Sequence, residues 1–190
     1  GGTPSADSGA LGDASDPASL RAAAEGMDVV YHLVGYLFAP RRSQVESLNM
    51  TAARNVAETA IEAGVKRIVF TSSVLVYGPD AAKPTPEDHP RRPDTAYSRA
   101  KVAVEDYLLS LKSRGLDATI MRVGHVYGPG VSTVEEFKGL IRLGLYRTAG
   151  KKDHVIPPIN AKDLALALCL AGENPQAAGR TYNVNDDDPI

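Results

Sequence analysis

Tyr97 and Lys101 stand four positions apart. On a helix that spacing puts two side chains on one face, one turn apart. An ammonium held beside a phenol favours the phenolate. A phenol titrating at about 10 is a poor base at neutral pH, and one lowered by several units becomes a usable acid or base. A surface pair on a helix is the plainer alternative. Upstream, Thr71-Ser72-Ser73 follows a run of apolar residues. Its hydroxyls could hydrogen-bond a substrate oxygen, although Ser/Thr-rich turns are common. A hydroxyl triplet about 24 residues before Tyr-x-x-x-Lys is much less expected by chance than either feature alone.

These residues need elements to position them. The runs at 29–35, 67–72 and 118–123 are short and almost continuously apolar, as in the buried strands of a parallel sheet. Between them lie helical patterns. Residues 17–25 form a helix capped by Asp16, with Pro17 in its first turn and Gly26 at its end. Val45, Leu48, Ala52, Val56 and Ala60 share the face of a second helix, with Ser43 as cap and Gly64 as stop. A third spans 96–113 and ends at Gly115. A short amphipathic helix is predicted at 133–143, a short strand at 154–158, a helix from about Asp163 to Leu170 capped by that aspartate, and a last strand at 181–184. Residues 78–95 contain five prolines and read as a long loop. The alternation of strand and helix predicts an α/β fold with a parallel sheet. Such sheets bind ligands at the carboxyl ends of their strands. The stretches 33–36, 71–77 and 124–130 fall there.

The chain has 190 residues, 21 Lys+Arg against 23 Asp+Glu, one cysteine and 43% hydrophobic residues. The apolar share is enough for a core. The net charge of −2 offers no field for nucleic acid or an anionic membrane, so neither is an expected partner. No apolar run is long enough to span a bilayer, no secretory leader is legible, and no Cys/His cluster suggests a metal site. The expectation is a cytoplasmic protein handling a small molecule. Cys169, within Leu-Ala-Leu-Cys-Leu, is expected in the core. His32 is expected to face the sheet as a structural residue. The arginine pairs 41–42 and 91–92 are expected as solvated loop charges, the second pair alternatively covering a charged substrate.

Several stretches together carry a family resemblance. They are Gly12-Asp13-Ala14-Ser15-Asp16, His32-Leu33-Val34-Gly35, Asn49 within Leu-Asn-Met-Thr, and Val65-Lys66-Arg67-Ile68-Val69-Phe70-Thr71-Ser72-Ser73. Tyr97-Ser98-Arg99-Ala100-Lys101, the run from Arg122 through Gly130, Ala161-Lys162-Asp163 and the segment 179–186 continue the series. With these in order, the chain resembles an extended short-chain dehydrogenase/reductase of the NAD(P)-dependent epimerase/dehydratase type. The resemblance implies an α/β, Rossmann-like, doubly wound parallel sheet and an NAD- or NADP-dependent oxidoreductase or epimerase. Tyr97 would be the general acid/base, Lys101 would hold the nicotinamide ribose and lower the Tyr97 pKa, and Ser73 would bond the reacting oxygen, with Ser72 as the neighbouring fallback. Asn49 would order the site. Asp13 and Ala14 would contact adenine, and Leu33, Val34, Gly35, Thr71, Ser72, Val123 and Gly124 would line the cofactor. Tyr77 and His125 would meet substrate, either a nucleotide-sugar or a hydroxysteroid- or flavonol-like compound. A homodimer is implied in the same way.

Departures from the family pattern qualify the expectation. Val34 replaces a small residue, His125 replaces an asparagine frequent in sugar-nucleotide epimerases, and Asn160 replaces a common His or Tyr. A Gly-x-x-Gly-x-x-Gly loop, which lets backbone approach a pyrophosphate, is not found in these residues. The match starts near the family's third strand. One partial NAD(P)-binding domain over 1–190 is therefore expected, irregular at 1–11, lacking the first β-α-β unit and most of a substrate region that starts near residue 125. A non-catalytic dinucleotide sensor and an inactive fragment are the alternatives.

Overall fold

The computed structural model describes residues 12–37, 39–79, 81, 84–129, 131, 142 and 157–186. In chain order the elements are α1 (Pro17–Ala24), β1 (Val29–His32), α2 (Arg42–Glu62), β2 (Arg67–Ser73), α3 (Ala96–Ser110), β3 (Asp117–Val123), β4 (His125–Tyr127), β5 (Pro158–Asn160), α4 (Ala161–Glu173) and β6 (Thr181–Val184). Single 3-10 turns follow β2, α3 and α4. Strands β1, β2, β3 and β6 form one sheet in that order, every pair parallel. β4 and β5 make a separate parallel ribbon.

Helices cover both faces, because the strands alternate two apolar sets. Ile68, Phe70, Ala118 and Ile120 face α2 and α3, where Ala53, Ala57, Ala60, Val104 and Leu108 close the core. The three alanines of α2 let that helix lie close to its neighbours. Val69, Met121 and Val123 face the other way, against Leu168 and Ala171 of α4. Full burial of a large apolar side chain contributes about 1.5–3 kcal/mol, and Phe70, Ile68, Leu108 and Ile120 are all essentially inaccessible. The architecture is the expected doubly wound parallel sheet, with all four carboxyl ends on one edge.

Several local expectations are corrected. β1 stops at His32, and Leu33 and Val34 beyond it are exposed. Its ladder to β2 ends at the His32–Phe70 pair, so the apolar run outlasts its hydrogen-bonding partner. α2 starts at Arg42, inside which Ser43 falls. The side chain of Gln44 accepts the Arg41 N–H instead, at 3.1 Å. Asn160 caps α4 by accepting the Lys162 N–H at 3.0 Å, and Asp163 sits in the first turn. Cys169 is exposed. Leu164, Ala167, Leu168 and Ala171 form the inward stripe of α4, so the helical period carries Cys169 outward with Leu166 and Leu170. The helix expected at 133–143 and the irregular start at 1–11 lie outside the described residues. The strand expected at 154–158 is found only from Pro158, and 154–156 lie outside the described residues. No helix among the described residues is long and apolar enough to cross a membrane.

Candidate active site

A cavity of about 310 Å³ opens at the carboxyl edge of the sheet. Leu33 and Gly35 border it beyond β1, Thr71, Ser72 and Ser73 at the end of β2, and Val123 and Gly124 at the end of β3. Tyr97 and Lys101 enter from α3, and Val126, Leu164 and Leu168 form an apolar side.

The start of α3 is fixed by reciprocal capping. Thr95 Oγ1 accepts the Ser98 N–H, and Ser98 Oγ accepts the Thr95 N–H, both at 3.0 Å. This holds Tyr97 in the first turn and Lys101 one turn later. Lys101 is only 3% exposed. Its ammonium donates to the Thr71 carbonyl at 2.8 Å and lies 4.6 Å from the centre of the Phe70 ring. Burial pushes Lys101 down to about 8, with Glu105 opposing that shift. The ammonium is 5.5 Å from the Tyr97 ring centre. The Tyr97 hydroxyl has no hydrogen-bond partner among the described residues. Burial raises its pKa. This corrects the expectation of a phenol lowered by Lys101: at this separation desolvation outweighs the ammonium.

Ser73 Oγ accepts the Leu75 N–H at 3.2 Å, which leaves its own proton available to donate. Ser72 Oγ donates its proton to the carboxylate of Glu105. Thr71 Oγ1 reaches back to the His32 carbonyl at 3.4 Å, and it is the Thr71 backbone oxygen that meets Lys101. Asn49 is buried in α2 and clamps Tyr36 from both sides. Its Oδ1 accepts the Tyr36 N–H at 3.1 Å and its Nδ2 donates to the Tyr36 carbonyl at 2.9 Å. Gly35 is thereby held so near the ammonium that a Cβ there would lie 3.1 Å from Lys101 Nζ.

Other expected residues stand apart from the cavity wall. Tyr77 is 3% exposed, and its hydroxyl accepts from Arg122 and donates to Asn183, both at 2.7 Å. It braces strands and does not form a substrate wall. His125 is exposed in β4, and Val34 is exposed beside Leu33. Neither lines the cavity. Asp13 is exposed, its carboxylate held below its usual range by the Ser15 N–H and hydroxyl. The carbonyl of buried Ala14 accepts from Asn55 at 3.0 Å. His32 is buried and stacked on Phe70, as expected, and burial together with the Lys101 charge lowers it to about 4.

The sequence reading missed a charged cluster behind the cavity. Glu105 is fully buried and bonds Arg122 through both carboxylate oxygens, at 3.1 and 2.8 Å. Arg91, expected as a solvated charge, donates to Glu105 at 3.1 Å and to Asp106 at 2.8 Å. Glu105 follows Lys101 by one further turn, so extending the Tyr97–Lys101 stripe would have found it.

The model of the NAD dependent epimerase/dehydratase family matches residues 4–185. Protein YeeZ of Escherichia coli K12 is 30% identical over 152 residues, which are 80% of this chain and 52% of that protein. UDP-glucose 4-epimerase of Vibrio cholerae is 32% identical over 150 residues, covering 73% and 44%. A solved short-chain dehydrogenase/reductase superfamily protein from Agrobacterium tumefaciens, with bound NAD, superposes with a TM-score of 0.75 at 25% identity, covering 99% and 69%. The Thermotoga maritima UDP-glucose 4-epimerase gives 0.81 at 23% identity, covering 94% and 62%, a likeness of fold. The chain spans about half the length of the first curated relatives. A match over nearly the whole sequence, on a parallel sheet of the expected kind, leaves one conclusion: this chain belongs to the NAD-dependent epimerase/dehydratase family.

Proposed function

We propose that this chain is the catalytic part of a cytoplasmic NAD(P)-dependent oxidoreductase or epimerase acting on a hydroxyl or carbonyl of a small molecule. The observation that carries this reading is the meeting of Ser73, Tyr97 and Lys101 around one cavity, the phenol without a hydrogen-bond partner among the described residues and the ammonium buried.

The residues fit a nicotinamide cofactor. Lys101 uses one N–H on Thr71, and its other donors suit ribose hydroxyls. Gly35 and Gly124 border the same cavity. When bound, that cofactor supplies the hydride donor or acceptor. The protein's own part is proton transfer. In oxidation, Tyr97, as phenolate, would take the proton of the substrate hydroxyl. In reduction, the phenol returns that proton to the carbonyl oxygen. Ser73 donates to the same oxygen and orients it. The raised phenol favours the acid role in the free protein, and the nearby ammonium stabilises the phenolate during turnover.

The substrate is a nucleotide-sugar or a hydroxysteroid- or flavonol-like compound. The kinship with UDP-glucose 4-epimerases favours the first. Pairing into a homodimer belongs to the same reading, and sedimentation checks it.

The deciding experiment measures NADH and NADPH binding and turnover on both substrate classes, for wild type and Tyr97→Phe. Turnover should fall by about 10²–10⁴-fold in the variant while cofactor binding persists. Full turnover without the hydroxyl overturns the catalytic assignment. Cofactor binding without turnover in wild type would support a sensor instead.

A further inference from the structure

Glu105 lies one helical turn beyond Lys101, an arrangement that ordinarily draws carboxylate and ammonium into an intrahelical pair. Here the pair does not form. A carboxylate offers about four acceptor positions, and all are taken. Oε1 accepts from Ser72 Oγ and Arg122 Nε, and Oε2 accepts from Arg122 Nη2 and Arg91 Nη1. The ammonium turns to the Thr71 carbonyl and the cavity.

We infer that Arg91 and Arg122 are positioning residues: by filling the acceptor positions of Glu105 they keep the Lys101 ammonium facing the cavity instead of letting it collapse onto its own helix. The inference rests on the reading of Lys101 as cofactor-binding and adds to it the device that keeps Lys101 available. The charges agree. Arg122 and Arg91, the latter shared with Asp106, offset the buried carboxylate and weaken its attraction for a third cation. Arg91 belongs to the proline-rich loop, which is fastened to the same cluster. Arg122 donates to the Glu87 carbonyl at 2.8 Å, and Asn183 to the Thr85 carbonyl at 2.7 Å. The loop thereby delivers the cation that occupies Oε2.

Arg91 is the residue to test, because its side chain is 29% exposed whereas that of Arg122 is 6% exposed in the core. The groups facing Lys101 are Tyr97 and Glu105 on its own helix, His32 from β1, the Phe70 ring and Thr71 carbonyl from β2, and Asn49 with Gly35 from the α2 side. Arg91→Met and the double variant Arg91→Met/Glu105→Gln are compared with wild type in two ways. Nitrogen-15 NMR follows the titration of the Lys101 amine, and NADH fluorescence gives the cofactor affinity.

In Arg91→Met the Lys101 titration should move up by about one pH unit, as an opposite charge becomes available. NADH affinity should fall roughly tenfold, the equivalent of one such unit. The double variant should bring the titration back down and restore most of the affinity. A merely structural role predicts no rise in the single variant and a worse double variant, and that result overturns the inference. Should the double variant not fold, the titration of Arg91→Met decides alone. If wild type binds neither NADH nor NADPH, the cofactor reading fails, and the titration still decides whether Arg91 holds Lys101 away from Glu105.

Discussion

Alanine at Gly124 and alanine at Gly172 form a matched pair of perturbations with opposite expected outcomes. At each position a Cβ would come within 2.0 Å of an oxygen atom. At 124 that oxygen is the Pro157 carbonyl, whose carbon would be 3.0 Å away. This carbonyl cannot retreat freely, because it accepts the His125 N–H at 2.8 Å, while the Gly124 N–H donates to Val184 at 3.1 Å. Relief requires the β4–β5 ribbon to slide from the main sheet. Overpacking costs about 1–3 kcal/mol, and a lost hydrogen bond about 0.5–1.5 kcal/mol. The expected loss is about 2–4 kcal/mol, a fall in Tm of roughly 4–16 °C for a chain of this size. At 172 the oxygen is the hydroxyl of Tyr31, a residue 41% exposed that can rotate into solvent. Alanine in a helix also gains about 0.5–1 kcal/mol over glycine. The net change at 172 should stay within about 1 kcal/mol of zero. Urea unfolding of the two variants, followed by circular dichroism, measures both. Equal losses, or a larger loss at 172, would refute the argument that mobility of the opposing atom sets the cost.

Three other outcomes follow from the geometry. His32 is held neutral at about 4 against an ordinary 6.5, so the unfolded chain takes the proton first. Stability should therefore be lost as pH falls from 6.5 towards 4, by about 3 kcal/mol in all, and urea melts of His32→Gln should show a flatter acid limb. Asn49→Ala leaves the Tyr36 backbone without its clamp. It should cost about 1–3 kcal/mol in thermal unfolding and weaken NADH binding by loosening Gly35. Arg67 Nη1 donates to the carbonyls of Gly172 at 2.9 Å and Asn174 at 2.7 Å at the end of α4. Arg67→Met should destabilise by about 1.5–3 kcal/mol and raise hydrogen exchange in the last turn of α4.

The parallel sheet was legible because its strands are apolar on both faces and its helices repeat every three or four residues, patterns that survive without tertiary knowledge. The site was legible for the same reason at one remove: once strand ends are located, Thr71–Ser73 and the face of α3 must share an edge. Burial of individual side chains was less legible. Cys169 and Tyr77 carry no local mark of which way they face. Cys169 turned outward because four neighbours on α4 already fill the inward stripe, and Tyr77 turned inward because Arg122 and Asn183 meet its hydroxyl. Glu105 and Arg91 escaped notice because charged residues read singly look solvated. Their burial depends on partners 14 and 17 positions away in sequence.

The two faces of the sheet divide the work of stability and chemistry along α3. Towards its end this helix contributes Val104, Leu108 and the following Leu111 to the apolar core. Tyr97, Lys101 and Glu105, each one turn apart, form a second stripe along the same helix. Burying an ammonium and a carboxylate is costly, and apolar side chains of similar volume would often serve stability as well or better. The arrangement is intelligible only if the charges do something that apolar residues cannot. Glu105 is fully compensated by two guanidinium groups, and Lys101 is left with a single carbonyl and a neighbouring cavity. The Lys101 charge therefore borders a cavity in which a ligand can complete it. Desolvation already lowers Lys101 to about 8, so a hydroxyl-bearing ligand that accepts from the ammonium relieves a cost the fold carries without it. Binding should accordingly raise the Lys101 titration point. Its failure to move when NADH or NADPH saturates the protein would show that Lys101 does not touch the cofactor.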